Sequence, residues 1–415
     1  MKKYSTINSN LDWRKLLPLV QNENVVLLNK PNGDFLLAWG NSYKISIAPN
    51  RYDAKLVQEF VDTHQQEYIF GYLAYDIKND ETRENSANVE NLNGKDVFLI
   101  APEHVLIKTS HTNLYFGEDS VKSIDQIIAN VLPVKNINFE SIALQAQTNR
   151  NDYLKDIIAI KNQIQKGIIY EMNYCVNFHN KFTHFNPVQT YSKLVDNAEA
   201  PFSAFINDGH NYILSASPER FLNKTGTRLK SQPIKGTAKR GETSESDFEI
   251  KNKLAVDPKE ISENVMIVDL VRNDLAKVAA KKSVKVEELC EPYTFKTVHQ
   301  LISTISCEIR QKTTLTETLQ ALFPMGSMTG APKISAISNI NQFESFRRGI
   351  YSGAIGYISP NGNFDFNVVI RSIFADMIKQ QISCGVGGAI TINSDPVKEY
   401  EECLLKLKAI QNTLC

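Results

Sequence analysis

Tyr351-Ser-Gly-Ala-Ile-Gly-Tyr-Ile358 is followed by Phe364-Asp-Phe-Asn-Val-Val-Ile-Arg-Ser-Ile373 and then by Gln380-Gln-Ile-Ser-Cys-Gly-Val-Gly-Gly-Ala-Ile-Thr-Ile392. The three runs read as long strands, and no helical stretch separates one from the next. Strands that succeed one another directly pair antiparallel, because a parallel pair needs a long crossover, usually a helix. Working outward, helical patterns fall near 247–280, 314–322, 331–340 and 396–412. Strands and helices do not alternate strictly. The order predicts an α+β fold with large antiparallel sheets, not a doubly wound parallel one.

Toward the N-terminus, residues 23–117 are strand-rich. Short apolar or alternating runs at 25–28, 35–39, 44–47, 69–75, 97–100, 105–107 and 113–116 are split by turn residues such as Pro31-Asn32-Gly33. The polar stretch 77–96 reads as a surface loop. The spacing predicts a helix over 153–165 and an extended segment over 170–182. The division expected is a strand-rich subdomain over 1–132, a polar linker over 133–150 and a catalytic core over 151–415.

The chain has 415 residues, with 46 Lys+Arg against 46 Asp+Glu. A zero formal charge argues against a nucleic-acid or membrane-surface binder, which usually carries a basic excess. No apolar run reaches the roughly 20 residues of a membrane span. Met1-Lys-Lys-Tyr-Ser-Thr has no apolar signal core after it, so a cytoplasmic location is expected. The six cysteines (175, 290, 307, 384, 403 and 415) lack C-x-x-C spacing and read as reduced thiols.

Two carboxylate pairs carry the first hint of chemistry. Asp257-Pro258-Lys259-Glu260 has the residues of a helix start, and Ile261, Val265, Val268, Val271 and Leu275 form one apolar face after it. Glu260 and Glu263 are three apart, so they can point at one target. Asp395-Pro396 begins a second such helix, with Glu399 and Glu402 again three apart. Either pair alone is an ordinary solvated face, and Glu260 also suits a capping box. Four carboxylates converging would suit Mg²⁺, a hard cation that takes oxygen ligands.

Glycine-rich turns accompany the pairs. Gly326-Ser-Met-Thr-Gly-Ala-Pro-Lys333 leads into a helix and could cradle an anion, although it lacks Walker A spacing. Cys384-Gly-Val-Gly-Gly388 lies in a strand pattern, where glycine marks a bulge or a close approach by backbone or ligand. Lys235 sits in Pro233-Ile-Lys-Gly-Thr237, read as a loop over 231–241. Such a lysine could be a surface residue, an anion contact or a covalent nucleophile. Arg371, after an apolar strand, could clamp a carboxylate or reach solvent. His299 alone reads as a satisfied histidine.

Taken together and in order, these motifs resemble the chorismate-utilising enzymes: anthranilate synthase component I, aminodeoxychorismate synthase component I, isochorismate synthase and salicylate synthase. The resemblance covers about 151–412. It rests on Ser217-Pro-Glu-Arg220, Pro233–Thr237, Glu263-Asn-Val-Met-Ile-Val-Asp-Leu-Val-Arg-Asn-Asp274, Phe323–Lys333, Arg347-Arg-Gly-Ile-Tyr-Ser-Gly353 and Asp395-Pro-Val-Lys-Glu-Tyr-Glu-Glu402. It is loose before residue 117. It implies a large four-layer α/β/β/α sandwich of two mainly antiparallel sheets, with the site between them.

Carried over residue by residue, the resemblance implies that Glu263 and Glu402 ligate Mg²⁺ directly and Glu260 and Glu399 through water. Thr237, His299 and Thr329 would contact the ring carboxylate of chorismate. Tyr351, Arg371, Gly385 and Gly387 would contact its enolpyruvyl carboxylate. Glu219 would be the general acid that protonates the departing 4-hydroxyl. Lysine at 235 resembles the aminodeoxychorismate synthases, whereas anthranilate synthases are expected to carry alanine there. A lysine in a dry site beside a metal can lose its proton and attack carbon. Isochorismate and salicylate synthases have a water-activating lysine where this chain has Glu171, which argues against water as the nucleophile. The amine-adding members usually carry Gln, so Glu171 departs from the pattern. No Gly-flanked Cys elbow of a glutaminase is present, so a separate glutamine amidotransferase subunit is expected to supply ammonia. The expected activity is that of aminodeoxychorismate synthase component I. The alternatives are anthranilate synthase component I and a non-catalytic amidotransferase partner.

Overall fold

The structure is a computed structural model that describes residues 3–7, 11–40, 43–77, 94–117 and 141–415. Most of the expected 77–96 loop, and residues 133–140 of the expected linker, lie outside them.

Two large sheets form the centre. Among the described residues, one has twelve strands in the order Lys3–Thr6, Asn113–Gly117, His104–Lys108, Phe35–Trp39, Val25–Asn29, Phe202–Asn207, Asn211–Ser217, Ser372–Asp376, Gln381–Ile390, Glu171–Lys181 and Gly330–Ala331, with Gln145–Ala146 beside Glu171–Lys181. The other has ten: Ile234–Lys239, Val298–Glu308, Arg228–Gln232, Arg220–Thr225, Phe364–Val368, Ala354–Ile358, Ile69–Leu73, Val97–Ala101 and Tyr43–Ile47, with Lys285–Thr294 beside Val298–Glu308. Their named pairings are antiparallel. Strands from before residue 132 pair with strands from after it in both sheets, as Val25–Asn29 does with Phe202–Asn207 and Ile69–Leu73 with Ala354–Ile358.

Both faces of each sheet are covered, which explains why many strands read as unbroken apolar runs. Val25 and Leu27 pack under helices Trp13–Val20, Arg150–Gln165, Pro187–Ala198 and Pro396–Gln411. Val26, between them, faces the other sheet with Phe70, Tyr72, Phe98, Ile213, Ile355 and Phe374. On the far side, Ile69 and Leu73 join the layer formed by helices Ala54–Thr63, Pro258–Ala276 and Leu315–Leu322. Alternate residues thus enter different cores, and the layers are α/β/β/α as expected.

The run 364–373 is not one strand. Phe364–Val368 belongs to the ten-stranded sheet and Ser372–Asp376 to the twelve-stranded one. The chain crosses between sheets at Val369–Arg371, and Arg371 adopts a left-handed backbone with φ of 52°. Sequence cannot show this break, because Val368 and Val369 are buried and Ile370 packs against apolar neighbours on either side of the crossing. A second crossing runs beside it, between Asn211–Ser217 and Arg220–Thr225. The two are tied by Val368 N–H to Glu219 O at 3.0 Å and Ala216 N–H to Arg371 O at 3.2 Å.

Other differences are local. The helical region over 247–280 is two helices, Ser244–Ala255 and Pro258–Ala276, and the second is capped by Asp257 and opened by Pro258 as read from the sequence. The second helix buries Asn264, Ile267, Val268, Val271, Asp274 and Leu275, whereas Val265 is exposed; the buried stripe is rotated from the apolar one. Helices Trp13–Val20 and Ala54–Thr63 were not expected, and the second buries only Val57. No helix among the described residues is long and apolar enough to cross a membrane.

Candidate active site

Lys235 lies in a strand, not in a loop. Ile234–Lys239 pairs with Val298–Glu308, but the register shifts between Ile234 and Thr237. Lys235 and Gly236 form the bulge, and Gly236 takes φ of 93°. A bulge of this kind re-aims a side chain, and glycine is required twice over. Its φ is left-handed, and a Cβ there would meet Glu260 Oε2 and Leu301 at 3.1 Å. Asn264 on the Pro258–Ala276 helix donates its amide to Lys235 O at 3.2 Å and accepts from Ser303 Oγ at 2.6 Å, fixing the bulge from behind.

The Lys235 side chain is 13% exposed, and its Nζ donates to Glu171 Oε1 at 3.0 Å. Burial pushes the ammonium down, but the Glu171, Glu263 and Glu219 carboxylates outweigh it. Lys235 therefore titrates above the ordinary lysine range. The site is dry as expected, yet at rest it holds lysine as a cation.

Glu219 sits on one of the two crossings and is 3% exposed. Ser327 donates its hydroxyl to Glu219 Oε1 at 2.6 Å. Burial pushes the Glu219 carboxyl up to about 7; the hydrogen bond from Ser327, the charge of Lys235 and the Ile234 N–H oppose it only in part. A carboxyl that keeps its proton near neutrality can act as a general acid.

Both helices that carry the carboxylate pairs begin as read. Asp257 accepts from the Lys259 and Glu260 N–H groups, and Asp395 from those of Val397 and Lys398. The helices face one another electrostatically, since Lys259 interacts with Glu260, Glu263, Glu399 and Glu402. Burial raises Glu260 and Glu399, and burial with the nearby charges of Glu171 and Glu260 takes Glu263 up to about 7. Glu402 is half-exposed. Burial pushes it up, but its ion pair with Lys406 at 2.8 Å prevails and holds it low. Lys259 lies 3.8 Å from Glu263. Among the described residues no three His, Cys, Asp or Glu are gathered as a ready ligand set. The chemistry of this group still fits a hard divalent ion, because it offers only carboxylate oxygens and burial raises Glu260, Glu263 and Glu399 despite the nearby lysines.

The anion end is built at the Val369–Arg371 crossing. Arg371 is half-buried, and desolvation lowers its guanidinium; among the described residues no carboxylate opposes this. A sparsely solvated cation without a counter-ion suits an incoming carboxylate. Tyr351 lies flat against the neighbouring strand, and Gly385 makes this possible, since a Cβ there would sit 2.6 Å from the ring. Gly387 allows close approach by Tyr174 O and Cys175 Sγ and accepts from Lys406 Nζ at 2.7 Å. Behind Tyr351, Arg348 and Glu344 form a fully buried ion pair at 2.5 Å, and Arg348 lies over the Tyr75 ring.

Other candidates are already engaged. His299 meets Thr294 Oγ1 at 3.0 Å through Nδ1 and Asp247 Oδ1 at 2.9 Å through Nε2. Thr329 is buried and donates to Met325 O and Gly326 O within its own turn. Thr237 is exposed on the lysine strand, where Gln300 reaches it at 3.4 Å. Lys333 is no anion contact: it is buried against Asp274 and donates to Leu322 O. Ser327, Asn264 and the Glu171–Lys235 contact escaped the sequence reading. Each is a polar side chain whose meaning depends on a partner distant in the chain.

Residues 23–412 match the model of the chorismate binding enzymes, and the chain belongs to that family. It is 38% identical over 287 residues to the chloroplastic aminodeoxychorismate synthase of Arabidopsis thaliana, covering 68% of this chain and 31% of that protein. It is 37% identical over 270 residues to aminodeoxychorismate synthase component 1 of Escherichia coli (strain K12), covering 65% of this chain and 59% of the relative. The matched region thus spans about a third to three fifths of those relatives. The fold is similar to the menaquinone-specific isochorismate synthase of Escherichia coli, with a TM-score of 0.80 at 18% identity over 100% of this chain and 94% of the other.

Proposed function

We propose that the chain converts chorismate and ammonia to 4-amino-4-deoxychorismate, the reaction of an aminodeoxychorismate synthase component I, on the way to p-aminobenzoate and folate. The observation that carries this reading is the pairing of a buried lysine with a buried, proton-holding carboxyl. Lys235 lies within electrostatic reach of Glu219, which titrates at about 7. The relatives described above support it.

In this reading Arg371, beside Tyr351, Gly385 and Gly387, holds the enolpyruvyl carboxylate. Thr237, His299 and Thr329 stand toward the ring carboxylate. Mg²⁺ held by Glu263 and Glu402, with Glu260 and Glu399 through water, would neutralise that carboxylate and stabilise charge developing in the ring. Lys235 Nζ attacks C2, the ring double bond shifts, and the C4–O bond breaks as Glu219 gives its proton to the leaving hydroxyl. Ammonia then bonds to C4 and the C2–N bond breaks, which returns Lys235. Splitting one displacement into two is the advantage of covalent catalysis.

The component name of the Escherichia coli relative implies a second component. The partner proposed is a glutamine amidotransferase that supplies the ammonia, in the cytoplasm. The test is Lys235→Ala assayed with chorismate, Mg²⁺ and ammonium salts. Turnover should fall by about 10³-fold, within the range of lost nucleophilic and acid–base groups. Wild-type rates with unchanged product would remove Lys235 from the mechanism.

A further inference from the structure

Glu171 is the buried group that neither the metal site nor the substrate contacts absorb. It is 1% exposed at the start of strand Glu171–Lys181. Its Oε1 accepts from Lys235 Nζ at 3.0 Å, while Oε2 is buried and has no hydrogen-bond partner among the described residues. A buried carboxylate oxygen without a donor is costly and calls for an explanation. The strand is held close at this point: Gly330, at φ of 139°, would drive a Cβ to 2.2 Å from Glu171 O.

The mechanism has a matching gap. A lysine that attacks carbon must first give up an N–H proton, and Lys235 Nζ already donates one to Glu171 Oε1 at 3.0 Å. The charges that face it are Glu171 from its own strand's neighbour sheet, Glu219 from the crossing, Glu260 and Glu263 from the Pro258–Ala276 helix, and Glu402 from the C-terminal helix. Among the described residues, Glu171 is the one recorded in contact with Nζ.

We propose that Glu171 is the base that takes the Lys235 proton as the amine attacks C2. This deepens the reading above and rests on it. The proton passes from Nζ to Glu171, and the freed lone pair forms the N–C2 bond. The C4–O electrons leave with the Glu219 proton as water. In the second half, ammonia bonds to C4 and the C2–N bond breaks, releasing neutral Lys235. The C4 ammonium gives one proton back to Glu219, and Glu171 returns its own to Lys235. Chorismate and ammonia have then become amine and water, with both carboxyls as they began. A glutamine here could hold Nζ through its carbonyl but could not accept the proton.

The test follows formation of the Lys235 adduct by intact-protein mass spectrometry after mixing enzyme, Mg²⁺ and chorismate without any amine, from pH 5 to 6.5, where Glu219 keeps its proton. Wild type should form the adduct at a rate nearly independent of pH. Glu171→Gln should form it about 10²-fold more slowly at pH 6, with the rate rising tenfold per pH unit over this range and the KM for chorismate within threefold of wild type. Glu171→Asp keeps a carboxylate and should restore the flat profile at a reduced rate. It also serves if the Gln variant does not fold, since a steep profile in the Asp variant would count against the proposal. If wild type forms aminodeoxychorismate with added ammonium and Glu171→Gln matches its adduct rate within threefold at every pH, this inference falls and the activity stands. If wild type forms neither adduct nor amine product, the activity falls and takes the inference with it.

Discussion

Ser327 Oγ donates to Glu219 Oε1 at 2.6 Å inside the protein, 108 residues away along the chain. The bond favours the ionised carboxylate, so it restrains a rise that burial drives. Ser327→Ala should push the Glu219 carboxyl further up. Activity that needs the protonated acid is lost as pH rises, so the alkaline limb of kcat/KM should move upward by about one pH unit. An unmoved limb would mean that Glu219 is not the acid that limits turnover at high pH.

The same residue makes a stability prediction. The folded Glu219 holds its proton up to about 7 against 4.5 for an ordinary glutamate. Its contribution is therefore fully present below pH 4.5 and is lost as pH rises through about 7. Glu219→Gln, which cannot ionise, should gain on wild type across that window, by roughly 3 kcal/mol at pH 8, while losing turnover. Urea denaturation at pH 4 and pH 8 measures the gap. A gap of equal size at both values would contradict the buried-acid assignment.

Arg371→Gln removes a site cation that no carboxylate among the described residues accompanies. The KM for chorismate should rise roughly 10- to 100-fold, as expected for losing hydrogen bonds to a charged group worth about 1.5–3 kcal/mol. Folding should suffer little, because no internal ion pair is broken. Steady-state kinetics with chorismate varied gives the answer. An unchanged KM would place the substrate carboxylate elsewhere.

Much of this was legible in the residues, and the limits are physical. Asp257-Pro258 and Asp395-Pro396 announced two helix starts because capping is a local rule. The large antiparallel sheets followed from strands that succeed one another without helices, whereas the four-layer sandwich was implied by the resemblance. The break at Arg371 was hidden because both faces of both sheets are buried, so an apolar run continues across the crossing. Lys235 read as a loop because Gly236 beside it mimics a turn; a shifted register against Val298–Glu308 is a tertiary fact. The ion pair that Lys235 makes could not be read, because its partner Glu171 lies 64 residues upstream. His299 read alone as a satisfied histidine, which is how it is bonded.

The most direct measurement is the product formed from chorismate, Mg²⁺ and excess ammonium by the purified chain alone. The account predicts 4-amino-4-deoxychorismate, with no partner needed once ammonia is supplied. Direct appearance of fluorescent anthranilate would contradict it in favour of an anthranilate synthase. The absence of any turnover would leave a chain that only binds an amidotransferase.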